Sequence, residues 1–131
     1  MMEVIEVAAG IIVHEVRYLI ARRKAGVHLG GLWEFPGGKR ETGETLEECL
    51  HRELREELNV RIGPPTPFQV VRHEYPEKIV ELHFFRCRIE TGVAIALDCA
   101  ELRWVYPHEM AAFEFPSADQ PVIAALQQGK V

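Results

Sequence analysis

A mid-chain segment, Thr45 to Leu58, combines the clearest helical pattern of the sequence with a high density of glutamate. Thr45 is a favoured N-cap residue, and Glu48, three residues later, completes a capping box. Asn59 follows the last leucine, and asparagine is the usual second choice to glycine for a left-handed helix exit. These signals predict one helix from about Thr45 to Leu58.

Glutamates lie on the same side of this predicted helix as its leucines. At about 100° per residue, the leucines form a stripe at about 0°, 40°, 80° and 120°, and they are Leu46, Leu50, Leu54 and Leu58. Glu57 falls within the stripe at about 20°, Glu53 borders it at about 340°, and Glu56 falls at about 280°. A carboxylate at a core boundary costs free energy unless it is protonated, paired or bound to a metal.

Three carboxylates one turn apart also repel one another, so a hard divalent cation would remove both costs. Mg²⁺ suits the position best, because it takes a few carboxylates and completes its shell with water and phosphate oxygens. The alternative is a solvated acidic face with the ion pairs Glu48–Arg52 and Arg52–Glu56. That alternative leaves Glu53 and Glu57 unexplained.

Strands predominate in the rest of the sequence. Apolar and alternating runs predict five of them, at Ile5–Val13, Val16–Arg23, Phe68–His73, Ile79–Ile89 and Leu102–Tyr106. A short extended piece, Trp33–Phe35, ends at a turn formed by Pro36, Gly37 and Gly38. A short helix is predicted at Pro107–Ala112, and a last helix runs from a Ser117 cap to about Gln127, with Pro121 in its first turns. The order predicts an α+β sandwich with a mixed sheet.

The totals exclude several classes of protein. The 131 residues, without a repeat or long linker, predict one domain over residues 1–131. The net charge of −5 argues against binding a nucleic-acid polymer, although a metal would still allow a small anionic ligand. The three cysteines lack metal-site spacing and predict reduced thiols. The apolar N-terminal run is too short to span a bilayer and has no basic leader, so we expect a cytoplasmic protein.

The segment from Gly38 to Val60 resembles the Nudix box, GX5EX7REUXEEXGU, in which U is a bulky aliphatic residue. Every defining position matches except the final glycine, which is Asn59 here and keeps the turn chemistry. "LWEFPGGK" (Leu32–Lys39) and "FPSADQPVIAAL" (Phe115–Leu126) are most similar to the MutT type of that family. The resemblance implies an α/β/α sandwich around a mixed β-sheet.

The resemblance also implies an activity, the hydrolysis of a nucleoside triphosphate to the monophosphate and pyrophosphate with Mg²⁺ or Mn²⁺ and an attacking water. The implied metal ligands are the Gly37 backbone, Glu53, Glu56, Glu57 and a loop acid, either Asp98 or, as the second choice, Glu101. Glu53 would also orient or deprotonate the water, with Asp98 as the weaker alternative. Arg52 would lock the glutamates in place, and Glu44 would brace the loop or the metal shell.

Four further residues, Arg23, Phe35, Lys78 and Asp119, match MutT positions near the nucleotide, and His28 could also touch the ligand. Each also has an ordinary structural explanation, as a strand-end arginine, a core aromatic, a hairpin-tip lysine, a first-turn helix acid and a loop histidine. MutT has asparagine where this chain has Asp119, and an ionised aspartate accepts hydrogen bonds but donates none. An aspartate at this position also resembles Nudix enzymes that act on cytosine nucleotides.

The expected function is therefore the hydrolysis of 8-oxo-dGTP, which removes oxidised guanine nucleotides from the precursor pool. Two alternatives are a CTP or 5-methyl-dCTP pyrophosphohydrolase and a Nudix domain that binds a nucleotide without hydrolysing it. The implied partner is the nucleoside triphosphate, with no nucleic-acid polymer and no membrane. The sequence leaves monomer and homodimer open.

Overall fold

A mixed β-sheet lies between two helical layers in the computed structural model, which describes residues 2–129. The strands are β1 (Glu3–His14), β2 (Arg17–Arg22), β3 (Trp33–Glu34), β4 (Gly37–Lys39), β5 (Arg61–Ile62), β6 (Thr66–Glu74), β7 (Lys78–Cys87), β8 (Ile89–Thr91) and β9 (Glu101–Val105). The helices are α1 (Leu46–Leu58), α2 (Gln120–Gln127) and two 3₁₀ helices, Pro107–Ala112 and Ser117–Asp119.

Strand β1 is the centre of the sheet. The order is β3-β2-β1-β7-β6, with β4 also paired to β1 and β9 also paired to β2. Strands β1 and β7 run parallel over the register Glu3↔Lys78 to Ile12↔Cys87, and the other pairs are antiparallel. Strands β5 and β8 form a separate two-stranded sheet.

The period of two along β1 divides the core between the two faces of the sheet. Ala8 and Ile12 belong to the buried cluster that contains the α1 leucines. Ala9, Ile11 and Val13 belong to the opposite cluster, which contains the apolar residues of α2. The predicted α+β sandwich is confirmed.

Helix α1 has the predicted ends. The Thr45 hydroxyl accepts from the Glu48 backbone amide at 3.1 Å, and the Glu48 carboxylate accepts from the Thr45 amide at 2.8 Å. Asn59 ends the helix in the left-handed region with φ of 59°. Leu50, Leu54 and Leu58 are 0% exposed, while Leu46 is only partly buried. The leucine stripe is therefore the face that α1 presents to the sheet.

Some predicted boundaries are wrong, because they depend on tertiary partners. Ser117 does not cap the last helix; it begins a 3₁₀ helix, and Asp119 occupies the N-cap of α2. The predicted strand Ile79–Ile89 is two strands, since β7 pairs with β1 whereas β8 pairs with β5. The predicted turn at Gly37 and Gly38 is strand β4, which is stabilised by pairing with Ala8 and Ala9 of β1.

Two further expectations concern the cysteines and the membrane. Cys49, Cys87 and Cys99 are free and buried, as predicted. Within residues 2–129, none of the helices has both the length and the apolar character needed to cross a bilayer.

Leu54 provides a test of the α1 packing. It is 0% exposed, and an added Cβ on Gly10 of β1 would lie 3.3 Å from its Cδ1 atom, so the two elements are in close contact. We expect Leu54→Ala to lower the free energy of unfolding by about 2–5 kcal/mol through the cavity it creates. Leu46→Ala, at the partly buried end of the same stripe, should cost clearly less in the same urea denaturation experiment. Equal losses would contradict the packing described here.

Candidate active site

The carboxylate of Glu57 is buried where α1 meets the loop that leads into β4. Glu57 is 7% exposed, and its Oε1 atom has no hydrogen-bond partner among residues 2–129. Burial, together with the negative charges of Glu34, Glu53 and Asp98, raises the pKa of Glu57 to about 8. The backbone amide of Gly37 acts in the opposite direction. The position is therefore unfavourable for an ionised carboxylate without a cation.

Two glycines bring the β4 backbone against these acids. A Cβ atom on Gly38 would overlap the Glu53 carboxylate, and one on Gly37 would overlap the backbone carbonyl of Ala8. Desolvation raises the pKa of Glu53, while its hydrogen bond and charge interaction with Arg52 oppose the shift. A side chain at Gly38 would therefore push β4 away from α1, and one at Gly37 would push β4 away from β1.

Arg52 holds the neighbouring acids in fixed positions. It donates two hydrogen bonds to the Glu44 carboxylate, from Nε at 3.0 Å and from Nη2 at 2.7 Å. Its Nη1 donates to Glu53 at 3.0 Å and to Glu56 at 3.2 Å, and its Nη2 donates to the Lys39 carbonyl at 3.0 Å. The bonds from Arg52 hold the pKa of Glu44 at about 2. Arg52 therefore ties α1 to the loop before it and to β4.

The predicted ion pairs of α1 are only partly correct. Arg52–Glu56 forms as predicted, and the Glu56 side chain is 59% exposed. The pairing of Glu48 with Arg52 is wrong, because the Glu48 carboxylate is used in the capping box and Arg52 turns toward Glu44. The Glu44 carboxylate also accepts from the Glu41 backbone amide at 2.8 Å, which braces the loop before α1.

The loop that precedes β9 is fixed to the end of α1. The backbone amides of Leu97 and Asp98 donate to the Glu57 carbonyl at 3.0 and 3.3 Å, and the Ile95 amide donates to the Leu58 carbonyl at 3.1 Å. The Asp98 side chain is 74% exposed and accepts from Lys24 Nζ at 2.9 Å. Asp98 thus lies beside Glu57.

Glu101, the other loop acid considered, is directed elsewhere. Its carboxylate pairs with Arg103 at 2.9 Å and lies 3.8 Å from Arg22. Both partners are exposed residues on strands β9 and β2. The geometry therefore places Asp98, and not Glu101, next to the buried carboxylate.

A cavity of about 190 Å³ opens beside the acids, on the face of the sheet opposite α1. Its floor is apolar and includes Val7, Ala9, Leu82 and Phe84 from β1 and β7. The five residues that the sequence predicted near a nucleotide all line it, and they are Arg23, His28, Phe35, Lys78 and Asp119. Gly37 and Gly38 line the same cavity, so it is continuous with the acidic end.

Glu34 is a cavity residue that the sequence interpretation missed. Arg23 Nη1 donates to its carboxylate at 2.9 Å, while Arg23 Nε donates to the His28 carbonyl at 2.8 Å. Burial raises the pKa of Glu34, although Arg23 opposes the shift. The sequence feature that could have identified Glu34 is its position between two aromatic residues, Trp33 and Phe35, both of which are buried.

Asp119 is buried at the other side of the cavity, with 6% exposure. It occupies the N-cap of α2, but its side chain makes no capping hydrogen bond within the described part of the chain. Burial, together with the negative charge of Glu34, raises its pKa to about 7. The interpretation of Asp119 as an ordinary first-turn acid does not fit this environment, because burial outweighs any stabilisation by the helix dipole.

At the mouth of the cavity, aromatic contacts join the β2–β3 loop, which carries His28, to the turn between β6 and β7, which carries Tyr75. The ring of His28 lies 6.0 Å from that of Tyr75, and His73 packs on Tyr75 at 4.5 Å. Lys78 Nζ lies over the Tyr75 ring at 5.8 Å. His28 and Lys78 therefore belong to the rim, and Phe35, which is 3% exposed, belongs to the floor.

A second group with metal-binding atoms lies on the α1 side of the sheet. Glu6, Glu81 and His83 each place one such atom within 4.8 Å of the others. Arg40 pairs with Glu6 and Arg72 with Glu81, each at 2.9 Å. These ion pairs already neutralise both carboxylates, and the cluster is explained as an ion-pair network.

The residues at the end of α1 fit a hard divalent cation. Glu57 offers an unpartnered buried oxygen, Glu53 lies against the side-chain-free Gly38, and Asp98 lies on the adjoining loop. Such a cation would relieve the unfavourable burial of Glu57 and the repulsion among these acids. The apolar cavity beside them has the character of a small-molecule site with a few convergent polar groups.

Comparisons with known proteins agree with this geometry. A family model for the NUDIX domain matches residues 7–125. The 8-oxo-dGTP diphosphatase of Escherichia coli K12 is 34% identical over 128 residues, which cover 97% of this chain and 99% of that protein. The CTP pyrophosphohydrolase of the same organism is 35% identical over 124 residues, covering 95% and 92%. The solution structure of the E. coli ORF135 protein has a TM-score of 0.80 and 34% identity, and covers 97% of this chain and 91% of that one. The resemblance noted in the sequence is confirmed, and the chain belongs to the Nudix family.

Proposed function

We propose that this protein is a Mg²⁺-dependent pyrophosphohydrolase that converts 8-oxo-dGTP to the monophosphate and pyrophosphate. The observation that carries the proposal is the buried, unpartnered Glu57 carboxylate at the acidic end of an apolar cavity. Relatives that match most of the chain are named 8-oxo-dGTP diphosphatases in several bacteria. The removal of oxidised guanine nucleotides before they enter DNA follows from this reaction.

The residues around α1 would bind the metal ion and position the attacking water at the phosphates. Glu53, Glu56, Glu57, Asp98 and the Gly37 backbone would hold Mg²⁺, or Mn²⁺ in its place. The bound cation would neutralise phosphate charge and lower the pKa of a bound water. Glu53 would orient the water or accept its proton, because its carboxylate lies at the edge of the core beside Gly38. Arg52 and Glu44 would hold Glu53 in that position.

The apolar cavity would hold the base. The ring of Phe35 and the β1–β7 surface provide a flat apolar contact, while Asp119 and Glu34 provide acceptors. 8-Oxoguanine offers N–H donors at N1, N2 and N7 to such acceptors. Arg23, which lines the cavity beside Glu34, and the rim residues His28 and Lys78 would lie near the sugar and phosphates.

A cytosine nucleoside triphosphate is the second candidate substrate. Asp119 favours it, because an aspartate can accept from the N4 amine of cytosine. The 35% identity with a CTP pyrophosphohydrolase points the same way. A domain that binds without hydrolysis has less support, since the carboxylates of the box are all present.

A cytoplasmic location, one domain over residues 1–131 and a monomer or homodimer remain predictions.

A nucleotide panel tests the substrate. Purified protein with Mg²⁺ is expected to release pyrophosphate from 8-oxo-dGTP with a kcat/KM at least about tenfold above those for CTP and 5-methyl-dCTP, a discrimination of about 1.4 kcal/mol. Product analysis by ion-exchange chromatography would identify pyrophosphate, not phosphate. A higher kcat/KM for a cytosine nucleotide would establish the second candidate instead. Binding without turnover for the whole panel would establish the third.

The Glu57→Gln variant tests the metal position. It keeps the shape of the side chain but removes the charge, so we expect kcat/KM to fall about 100-fold or more. The metal-free variant should be at least as stable as the wild type at neutral pH, because glutamine is neutral without the proton that the buried Glu57 carboxyl must take up on folding. Glu47→Gln, an exposed first-turn acid of α1, is the control with the same charge change. Near-normal turnover by Glu57→Gln would show that this residue does not hold the metal.

The pH dependence of metal-free stability tests the buried acids. The folded-state pKa of Glu57 is raised from 4.5 to about 8, so the folded protein keeps a proton that the unfolded chain releases. Stability is therefore expected to fall as pH rises through that window. Urea denaturation at about pH 5 and at about pH 8 should show this decrease in the free energy of unfolding. Glu57→Gln should flatten it, although Asp119, with a pKa of about 7, keeps part of it. Identical slopes for the two proteins would contradict the assignment.

A further inference from the structure

Lys24 lies on the β2–β3 loop and joins that loop to the acidic end of the site. Its Nζ atom donates to Asp98 at 2.9 Å, across 74 residues of sequence. Both side chains are solvent-exposed, at 52% and 74%. Lys24 directly follows Arg23, which lines the nucleotide cavity. The ion pair thus joins the loop that follows this cavity residue to the loop that lies beside Glu57.

The Asp98 backbone is fixed, so a change at this pair would involve side chains alone. Amides of Leu97 and Asp98 donate to the Glu57 carbonyl, and the Ala100 amide donates to the Arg22 carbonyl at 2.8 Å. The Asp98 charge is close enough to Glu57 to raise the pKa of Glu57. The Asp98 carboxylate can therefore turn from Lys24 toward the buried acids while its loop stays in place.

Lys24 is held less firmly than Arg52 and Arg23, two other cations of the site. Arg52 donates to three carboxylates and a backbone carbonyl, and its side chain is only 16% exposed. Arg23 donates to the Glu34 carboxylate and to the His28 carbonyl, and is 31% exposed. Lys24 has a single, exposed ion pair, and pairs of that kind contribute little to stability. It can exchange its partner at low cost.

We propose that Lys24 is a positioning residue that exchanges Asp98 for the polyphosphate of the substrate. In the metal-free protein Lys24 neutralises Asp98. If Asp98 turned toward a divalent cation held beside Glu57, the Lys24 ammonium group would lose its partner and would be free to pair with the negatively charged phosphates. This inference rests on the proposed function, because it needs both the metal and the phosphates at this end of α1.

The exchange predicts effects of opposite sign for one substitution. In Lys24→Gln, Asp98 no longer has a competing cation, so Mn²⁺ alone should bind about two- to fivefold more tightly. The same variant lacks a cation for the phosphates, so the KM for 8-oxo-dGTP should rise about tenfold. A residue that only supported the fold would weaken both interactions, and an inert surface lysine would change neither.

Calorimetric titration of nucleotide-free protein with Mn²⁺ measures the first effect without turnover. Lys24→Arg should keep an affinity close to that of the wild type, because it keeps the pair. The decisive comparison is Lys24→Gln in an Asp98→Asn background, where the tightening should disappear. A tightening that persists there would mean that Lys24 acts only through long-range charge, and the proposal would be wrong.

Arg103→Gln is the matched control. Arg103 forms another 2.9 Å ion pair, with Glu101, its side chain is 57% exposed, and the substitution removes the same charge. It should alter neither the Mn²⁺ affinity nor the KM. Unchanged Mn²⁺ affinity in Lys24→Gln, with normal Mn²⁺ binding to the wild type, would overturn the Lys24 proposal alone. Failure of the wild type to bind Mn²⁺ would overturn the metal site, and the Lys24 proposal would fall with it.

Discussion

The burial of the Glu57 carboxylate on the leucine side of α1 is the constraint around which the site is arranged. Glu57 cannot move to solvent on its own, because Leu50, its neighbour on the helical wheel, is 0% exposed, as are Leu54 and Leu58, and this packing fixes the rotation of the helix. The capping box and Asn59 fix both ends of that helix. Apolar packing thereby holds an acid at the core boundary, where its charge is unfavourable unless the carboxyl is protonated or a cation is bound beside it.

Arg52, the arginine beside these acids, does not neutralise the Glu57 carboxylate. Arg52 reaches Glu44, Glu53 and Glu56 but leaves the Oε1 atom of Glu57 without a partner in the described chain. Arg52 also binds the Lys39 carbonyl, which holds β4 against α1. Arg52 thus fixes three of the acids and strand β4 together. The carboxylate oxygen that still lacks a partner is the buried Oε1 atom of Glu57.

Local sequence pattern was enough to predict α1, its caps, its buried stripe and the anomaly of Glu57, because all of these depend on residues within a few turns of one another. Strand β4 was read as a turn, since two glycines have low strand propensity and the pairing that stabilises them comes from Ala8 and Ala9, far away in sequence. Glu34 was missed for the same reason. Its neighbours Arg23 and Asp119 come from different parts of the chain and meet only across the cavity.

The acids of the cavity differ from those of α1 in a way that bears on base recognition. Glu44 is strongly hydrogen-bonded to Arg52, which holds its pKa at about 2, so it is ionised at neutral pH. Asp119 has no such partner in the described chain; burial and the charge of Glu34 raise its pKa to about 7. A neutral carboxyl donates one hydrogen bond and accepts others, as an asparagine amide does, whereas the ionised form only accepts. The hydrogen-bonding character of position 119 is thus set by the burial and charge of its surroundings as much as by the replacement of asparagine with aspartate.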